Sequence, residues 1–203
     1  LLDVPTSGSY RLFGREVAHL AEDELAILRR QTLGFIFQQF HLLPRLKAID
    51  NVAMPLLYSG RTGIAHSPEK LMHEVGLADR AGHKPPEMSG GQQQRVAIAQ
   101  ALVSKPEMLL LDEPLANLDV RNQQDIVSLL KRINAESGIG ILVVAHDLNP
   151  LLSALDGAIY LLDGHPHYAG VDDVVSEELL THLYGTAIKV VRTAQGDLFT
   201  RSA

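Results

Sequence analysis

Apolar residues along the chain occur in short runs that end in polar residues, and this pattern predicts buried strands alternating with helices. The runs "MLLL" and "ILVVA" end at Asp112-Glu113 and at His146. Between them, apolar residues recur at the spacing of one helix face: Ile126, Leu129, Leu130 and Ile133. A strand, a helix and a second strand in this order predict a parallel βαβ unit, and hence an α/β fold.

The flanking segments predict further elements of both kinds. Before the βαβ unit, "GSYRLFGRE" predicts a strand and turn, and residues 20–30 predict a helix whose charges run from acidic to basic. The segment "TLGFIF" predicts a buried strand that ends at Gln38-Gln39. After the unit, "GAIYLLDG" predicts a strand, "SEELLTHLYG" a capped helix and "IKVVRTAQGDLFT" a hairpin around Gly196.

Residues 39–88 have a different character, since prolines and glycines break them into short helical stretches. One stretch has Ser67 as N-cap, Pro68 at the first helical position and Gly76 as a stop. We therefore expect a helical subdomain at 39–88 within a single partial domain of residues 1–203, and a C-terminal helix and hairpin in 165–203. The segment "HPHY" (His165 and His167) predicts a surface turn, which is a weak candidate for metal binding because no third ligand accompanies it.

Composition narrows the classes of partner. The net charge of −6 provides no positive field for a nucleic-acid backbone, so we expect no nucleic acid as partner. The absence of cysteine excludes disulfides and thiolate metal sites. The apolar runs are far shorter than the roughly 18 residues of a membrane span, so any membrane contact is expected to be indirect.

The polar residues at the strand ends are the first candidates for chemistry. In a parallel sheet they project into one crevice, so Asp112, Glu113 and His146 are expected to converge. Asp112 suits a magnesium ligand, and Glu113 suits a base that orients an attacking water. A turn with a helix cap is the structural alternative for the acid pair, and His146 or Gln38 alone would be an ordinary polar strand end.

A second candidate site is Ser89-Gly90-Gly91, which precedes a helix expected to begin near Gln92. Glycines at this position allow backbone N–H groups and the helix dipole to approach a phosphate closely, and the serine adds a donor. The alternative is an ordinary loop with a helix N-cap.

Taken in order, these motifs resemble the nucleotide-binding subunit of ABC transporters along the whole chain. "MSGGQ" is similar to the signature motif, "MLLLDEP" to Walker B with the catalytic glutamate, "ANLD" to the D-loop, "VVAHD" to the H-loop and "GFIFQQF" to the Q-loop. The resemblance implies a P-loop NTPase-like fold with a mostly parallel sheet flanked by helices. It further implies ATP and Mg²⁺ as cofactors, a transmembrane permease and a second nucleotide-binding subunit as partners, and a cytoplasmic location, peripheral on the inner face of the membrane.

The same resemblance assigns a role to each residue. Ser89, Gly90, Gly91 and Gln92 are expected to close on the γ-phosphate held by the other subunit, and Asp119 to bridge the dimer interface. Gln38 is expected to contact magnesium or water, His146 the γ-phosphate, and Glu113 the attacking water. Residues 40–60 are the expected docking surface for the permease, although core packing of the helical subdomain would explain some of their apolar positions.

One expected motif is missing, because no Gly-x-x-x-x-Gly-Lys-Ser/Thr occurs in the 203 residues. In the family this phosphate loop lies just before residues like "LLDVPTSG", so we expect a chain cut after it, inactive on its own, with weakened ATP binding and exposed apolar sheet surface. A soluble ABC ATPase without transport function, or a non-catalytic nucleotide-sensing module, are the alternatives.

The two ends of the chain resemble systems that carry different substrates. "GHPHYAGVDDVVSEELLTHLYG" is similar to the end of ATPases from metal-ion uptake systems. "GFIFQQFHLLPRLKAIDNVAMPLLYSG" is similar to the lipoprotein-release and macrolide-export branch. The substrate therefore stays open at this point.

Overall fold

A computed structural model describes residues 3, 5–58, 66–192 and 198–202. The first described elements form a short antiparallel hairpin, β1 (Arg11–Leu12) and β2 (Arg15–Glu16), where a strand and turn were predicted. Its turn residues Phe13 and Gly14 both have positive φ, which matches the twist of a two-residue hairpin loop. Helix α1 (Glu22–Thr32) follows, with acidic residues in its first turn and arginines in its last, which complements the helix dipole.

The centre of the fold is a three-stranded parallel sheet in the order β3-β4-β5. Its strands are β3 (Leu33–Ile36), β4 (Met108–Asp112) and β5 (Gly140–Val144). Helix α5 (Val120–Ser137) connects β4 to β5, which confirms the predicted βαβ unit. Strand β3 ends at Ile36, two residues earlier than the expected end at Gln38.

Residues 39–88 are helical wherever the structure describes an element. They contain α2 (Ala48–Ala53), a 3-10 turn (Met54–Leu57), α3 (Pro68–Glu74) and two further 3-10 turns (Ala78–Arg80 and Pro85–Glu87). Ser67 caps α3 as predicted, since its hydroxyl accepts a hydrogen bond from the backbone N–H of Lys70. Helix α4 (Gly90–Leu102) then leads back to β4.

One apolar core joins these helices to the sheet. It takes residues from β3, α2, α3, α4, β4 and α5, among them Ile36, Val52, Leu71, Ile98, Leu109 and Ile126. Asn51 is fully buried, and its carboxamide bonds the backbone of Leu43 in both directions, at 2.7 and 3.2 Å. Gln100 of α4 donates to the Asn51 carbonyl, so the segment around residues 43–51 is fixed to α4.

The C-terminal part is built from two antiparallel hairpins and two helices. β6 (Gly157–Leu162) pairs with β7 (His165–Gly170), and β8 (Ile188–Arg192) pairs with β9 (Leu198–Ser202). Between the hairpins lie α6 (Val171–Val174) and α7 (Glu177–Tyr184). The second hairpin confirms the prediction from the sequence, while its expected turn at Gly196 lies outside the described residues.

The prediction of a surface turn at His165 and His167 is wrong. Both residues lie in β7, and the turn is at Asp163-Gly164, where both residues have positive φ. His167 stacks on Tyr160 across the hairpin with a ring separation of 5.4 Å, so cross-strand pairing extends this polar segment into a strand. Within the described ranges, no group of three or more histidine, cysteine, aspartate or glutamate side chains could hold a metal ion.

Apolar side chains are also exposed on the strands. Leu142 and Val144 of β5 are 44% and 58% exposed, and Ile159 and Leu161 of β6 are 60% and 70% exposed. This agrees with the expected exposure of apolar sheet surface. Among the described residues, no helix is both long and apolar enough to cross a bilayer.

Candidate active site

The strands β4 and β5 end side by side, and this register sets the position of the predicted acids and histidine. Asp112, the last residue of β4, is aligned with Val144, the last residue of β5. The next residue, Glu113, donates its backbone N–H to the Val144 carbonyl at 2.9 Å. Glu113 and His146 therefore follow two adjacent strands at one edge, and we call Asp112, Glu113 and His146 the strand-end cluster.

Glu113 and His146 are in direct contact, with 2.7 Å between Glu113 Oε2 and His146 Nδ1. Because an ionised carboxylate only accepts, the hydrogen must lie on Nδ1, and His146 donates to Glu113. The Nε2 atom makes no hydrogen bond in the described structure, and the ring is largely exposed, whereas the Glu113 side chain is only 21% exposed. The hydrogen bond to Glu113 and its negative charge raise the pKa of His146 above 6.5.

The backbone of Glu113 has an unusual conformation. Its φ is +48°, in the left-handed region that residues other than glycine rarely adopt. The residue that follows is Pro114, which further restricts the backbone before it. Strain of this kind is concentrated at functional sites, where the surrounding structure enforces it.

Asp112 and Gln38 are the two predicted metal-contacting residues. Both side chains are exposed. Asp112 is the last residue of β4, and Gln38 lies two residues after the end of the neighbouring strand β3. In the described structure, no hydrogen bond joins Gln38 to the strand-end cluster. A single exposed carboxylate suits Mg²⁺, which usually keeps several waters and takes further ligands from phosphates. The residues present therefore fit a magnesium ion that arrives with a nucleotide.

The second predicted site lies at the start of α4, and we call residues Ser89–Gln92 the glycine cap. The helix begins at Gly90, two residues earlier than expected, and Ser89 is its N-cap. Ser89 Oγ accepts from the Gln92 backbone N–H at 3.3 Å, while Gln92 Oε1 accepts from the Ser89 N–H at 3.0 Å. This capping box leaves the hydroxyl hydrogen of Ser89 free to donate. Ser89 and Gly90 are exposed, so a ligand can reach them.

Asp119 is the N-cap of α5, and both of its carboxylate oxygens accept from Asn122. The Asn122 backbone N–H donates to Oδ1 at 2.9 Å, and its side-chain Nδ2 donates to Oδ2 at 2.7 Å. These two bonds lower the pKa of Asp119. The residue is exposed and ionised, at a position where a second molecule can contact it.

A polar cleft of about 470 Å³ lies beside the glycine cap and Asp119. Its lining includes Ser89, Gln92, Arg95, Asp119 and Asn122, which come from the starts of α4 and α5. None of the strand-end cluster lines this cleft. The structure thus brings Glu113 and His146 together, and separately brings the glycine cap close to Asp119.

Comparison with known proteins identifies the family. The sequence profile described as "ABC transporter" matches residues 2–116, more than half of the chain. The macrolide export ATP-binding/permease protein MacB of Bdellovibrio bacteriovorus is 52% identical over 147 residues, 72% of this chain and 22% of the exporter. The lipoprotein-releasing system ATP-binding protein LolD of Geobacter metallireducens is 46% identical over 165 residues, covering 80% of this chain and 73% of that protein. The chain belongs to the ABC transporter family.

A solved structure of the same kind supports the fold of this ABC chain. The ATP-binding cassette MJ0796, in a dimeric post-hydrolysis state bound to ADP and Pi, superposes with a TM-score of 0.71 at 38% identity. The match covers 84% of this chain and 76% of the cassette. The ABC chain spans about a quarter of the length of the macrolide exporters it matches.

Two contacts of the ABC chain, one at His146 and one at Asn149, were not predicted from the sequence. Tyr184 of α7 donates its hydroxyl to the His146 carbonyl at 3.2 Å. Asn149 exchanges hydrogen bonds with the backbone of Thr200 in β9, at 2.7 and 3.1 Å. No sequence motif marks either residue, since both contacts depend on where the C-terminal helix and hairpin pack.

The predicted docking segment of the ABC chain, residues 40–60, has both buried and exposed apolar residues. Ala48 and Val52 are fully buried in the core, as the structural alternative for this segment expects. Leu43, Leu57 and Tyr58 are 44%, 74% and 67% exposed. The exposed residues form the part of the segment that remains available to a partner.

Proposed function

We propose that the chain is the ATP-binding and ATP-hydrolysing part of an ABC transporter. The observation that carries this proposal is the 2.7 Å contact between Glu113 and His146 at the end of adjacent parallel strands. A carboxylate and a histidine that are held together at this edge suit the alignment of a water for attack on a phosphate. The family membership supports the nucleotide as substrate.

In this mechanism each residue of the strand-end cluster has one task. Glu113 orients the attacking water and accepts its proton. His146, fixed through Nδ1, donates Nε2–H to the γ-phosphate in its protonated form, which the contact with Glu113 favours. The Asp112 carboxylate and the Gln38 amide oxygen would hold Mg²⁺, which neutralises phosphate charge when bound.

The glycine cap contributes from a second copy of the chain. No residue of the strand-end cluster lines the cleft at Ser89. A phosphate held at the cluster of one copy would instead meet the Ser89 hydroxyl and the first N–H groups of α4 of another. Asp119 would lie at the contact between the two copies. The dimeric state of MJ0796 supports this arrangement.

The permease is the second proposed partner. The exposed residues Leu43, Leu57 and Tyr58 provide an apolar surface for it, which would keep the chain peripheral on the inner face of the membrane. The MacB and LolD relatives favour the macrolide-export and lipoprotein-release branch as the transport class. Metal-ion uptake, suggested by the C-terminal sequence, is the alternative.

The test uses a completed domain, in which the phosphate-loop segment that the family carries is fused ahead of Leu1. We expect this domain to hydrolyse ATP and the glutamine variant Glu113→Gln to bind ATP without turnover. ATP binding by the completed domain without any hydrolysis would contradict the proposal and favour a nucleotide-sensing module. Hydrolysis that survives in Glu113→Gln would remove Glu113 from the mechanism.

A further inference from the structure

We propose that Asn122 is a positioning residue that holds the glycine cap in a fixed place relative to Asp119. The inference rests on the proposed function, because it gives the two sites a shared task at the contact between copies. Asn122 would fix the position of Ser89 relative to Asp119, the two groups of one chain that are proposed to contact the other copy.

The first contact of Asn122 is with Asp119. Its backbone N–H and its carboxamide NH₂ occupy both oxygens of the carboxylate, at 2.9 and 2.7 Å. Because the carboxylate accepts only, the NH₂ must face Asp119, and the carboxamide oxygen therefore faces away from it. The orientation of the Asn122 side chain is thus fixed by Asp119.

The second contact of Asn122 is with Gly91 in the glycine cap. A methyl group on Gly91 would lie 2.2 Å from Asn122 Oδ1, 2.6 Å from Cγ and 3.2 Å from Cβ. These separations leave no room for any side chain larger than hydrogen. The same carboxamide that binds Asp119 therefore lies directly against the backbone of the glycine cap.

Neighbouring contacts join the same two helix starts. One turn further along both helices, Arg95 of α4 and Asp125 of α5 form an ion pair at 2.8 Å. On the other side, Leu118 lies 3.5 Å from the place that a methyl on Gly90 would occupy. Asn122 lies between these contacts, and its side chain bonds the Asp119 carboxylate and lies against Gly91.

This geometry has a consequence for the assembly of two copies. If Ser89 meets the nucleotide of the other copy while Asp119 meets its surface, closure requires both groups to arrive together. A rigid link between them lowers the entropy lost on closure, since the groups are already arranged. Without Asn122, each group would have to be ordered separately.

The most direct test is Asn122→Asp in the full chain, which keeps the shape of the side chain but replaces the donor with an oxygen that repels Asp119. The chain is expected to remain folded, because a carboxylate in the first turn of α5 is favourable for the helix dipole. The matched control is Gln124→Glu, which adds the same charge to the same helix at an exposed position.

The distance between the two helix starts is the first readout. Since the sequence contains no cysteine, Lys84→Cys and Val120→Cys provide two unique sites for spin labels. Lys84 precedes the 3-10 turn Pro85–Glu87 that leads into α4, and Val120 is the first residue of α5. Double electron–electron resonance is expected to give one narrow distribution of the distance between the two labels, both in the parent chain and in Gln124→Glu. Asn122→Asp is expected to broaden this distance distribution.

Gly91→Ala tests the contact between Gly91 and Asn122 independently, because it changes the α4 residue of the pair. Its methyl group should displace the Asn122 carboxamide and broaden the same distribution. Adding Asn122→Ala removes the clash with Oδ1 and Cγ, so the double variant should recover the folded stability that Gly91→Ala loses. Equal stability of the single and double variants would contradict the contact.

The second readout is closure itself, in the completed domain that carries Glu113→Gln. We expect Asn122→Asp to weaken ATP-dependent dimerisation about tenfold while ATP binding to the monomer is unchanged, as the loss of one charged hydrogen bond predicts. A distance distribution that Asn122→Asp leaves unchanged would overturn the positioning role, as would broadening without an effect on dimerisation. If the parent completed domain does not dimerise with ATP, the proposed function fails instead.

Discussion

The strand-end cluster and the glycine cap reach their geometry by opposite physical means. In the cluster, a hydrogen bond between a carboxylate and an exposed histidine ring fixes the position of both side chains. In the glycine cap, a missing side chain allows α4 and α5 to approach until Gly91 touches Asn122. The geometry of the strand-end cluster therefore depends on charge, and that of the glycine cap depends on the small size of Gly91.

This difference predicts which property, activity or stability, a substitution in each site will lower. In the strand-end cluster, replacing a carboxylate by an amide of the same shape should have little effect on folding, because it adds no volume. Added volume at Gly91 affects packing directly, because the helix contact has no space to accept it. Substitutions in the two regions should therefore separate activity from stability.

The largest expected effect is on turnover. In the completed domain, Glu113→Gln should lower the rate of ATP hydrolysis by about 10²–10⁴-fold, since it removes the proposed base, and should leave ATP bound. Phosphate release measures the rate, and gel filtration with ATP measures the trapped dimer. Glu107→Gln is the matched control, because it removes the same charge just before the opposite end of β4, and it should hydrolyse ATP at the parent rate.

The next effect is on stability, at the glycine cap. Gly91→Ala should lower the free energy of unfolding by about 1–3 kcal/mol through overpacking against Asn122, partly offset by the better helix propensity of alanine. Gly90→Ala, whose methyl would lie 3.5 Å from Leu118, should be neutral or slightly stabilising. Urea unfolding of the full chain compares the two, and an equal effect of both substitutions would contradict the close approach at Gly91.

A smaller effect concerns the titration of His146. Its folded pKa is raised by Glu113, so stabilisation by the charged pair is fully present below the unfolded pKa of about 6.5 and is lost as the pH rises through the folded pKa. Histidine NMR should show the His146 titration moving to lower pH in Glu113→Gln. Asp147→Asn should shift it in the same direction by less, and a larger shift in Asp147→Asn than in Glu113→Gln would contradict the direct pair.

The smallest effect is expected at the contact between the C-terminal helix and His146. Tyr184→Phe removes one exposed hydrogen bond to the His146 carbonyl, so the free energy of unfolding should fall by at most ~1 kcal/mol. Urea unfolding measures this change in the free energy of unfolding. Asn149→Ala removes the hydrogen bonds to Thr200 and should cost more, so the reverse order would show that Tyr184 has a second role.

The strand-end cluster was predictable because its position depends on local pattern and on sheet geometry alone. Two apolar runs joined by an amphipathic helix predict parallel neighbours, whose polar ends must meet at one edge. A helix after Ser89-Gly90-Gly91 was likewise predicted, although it begins at Gly90, two residues before the expected start near Gln92. The role of Ser89 towards a phosphate stays a prediction.

Other features depend on packing between distant elements and could not be predicted. The strand at His165 and His167 forms because β6 pairs with it, although its own sequence reads as a polar turn. The contact of Gly91 with Asn122 requires the crossing of α4 and α5, and that of Tyr184 with His146 requires the placement of α7. None of these three partners is marked by spacing in the sequence.

The most direct test of the proposed active site is to mix two inactive variants of the completed domain. One carries Glu113→Gln and the other Ser89→Arg. If the glycine cap acts on the nucleotide of the other copy, half of the dimers in an equal mixture contain one complete site, and roughly a quarter of the parent ATPase rate should return. No hydrolysis above the separate variants would contradict a site shared between two copies.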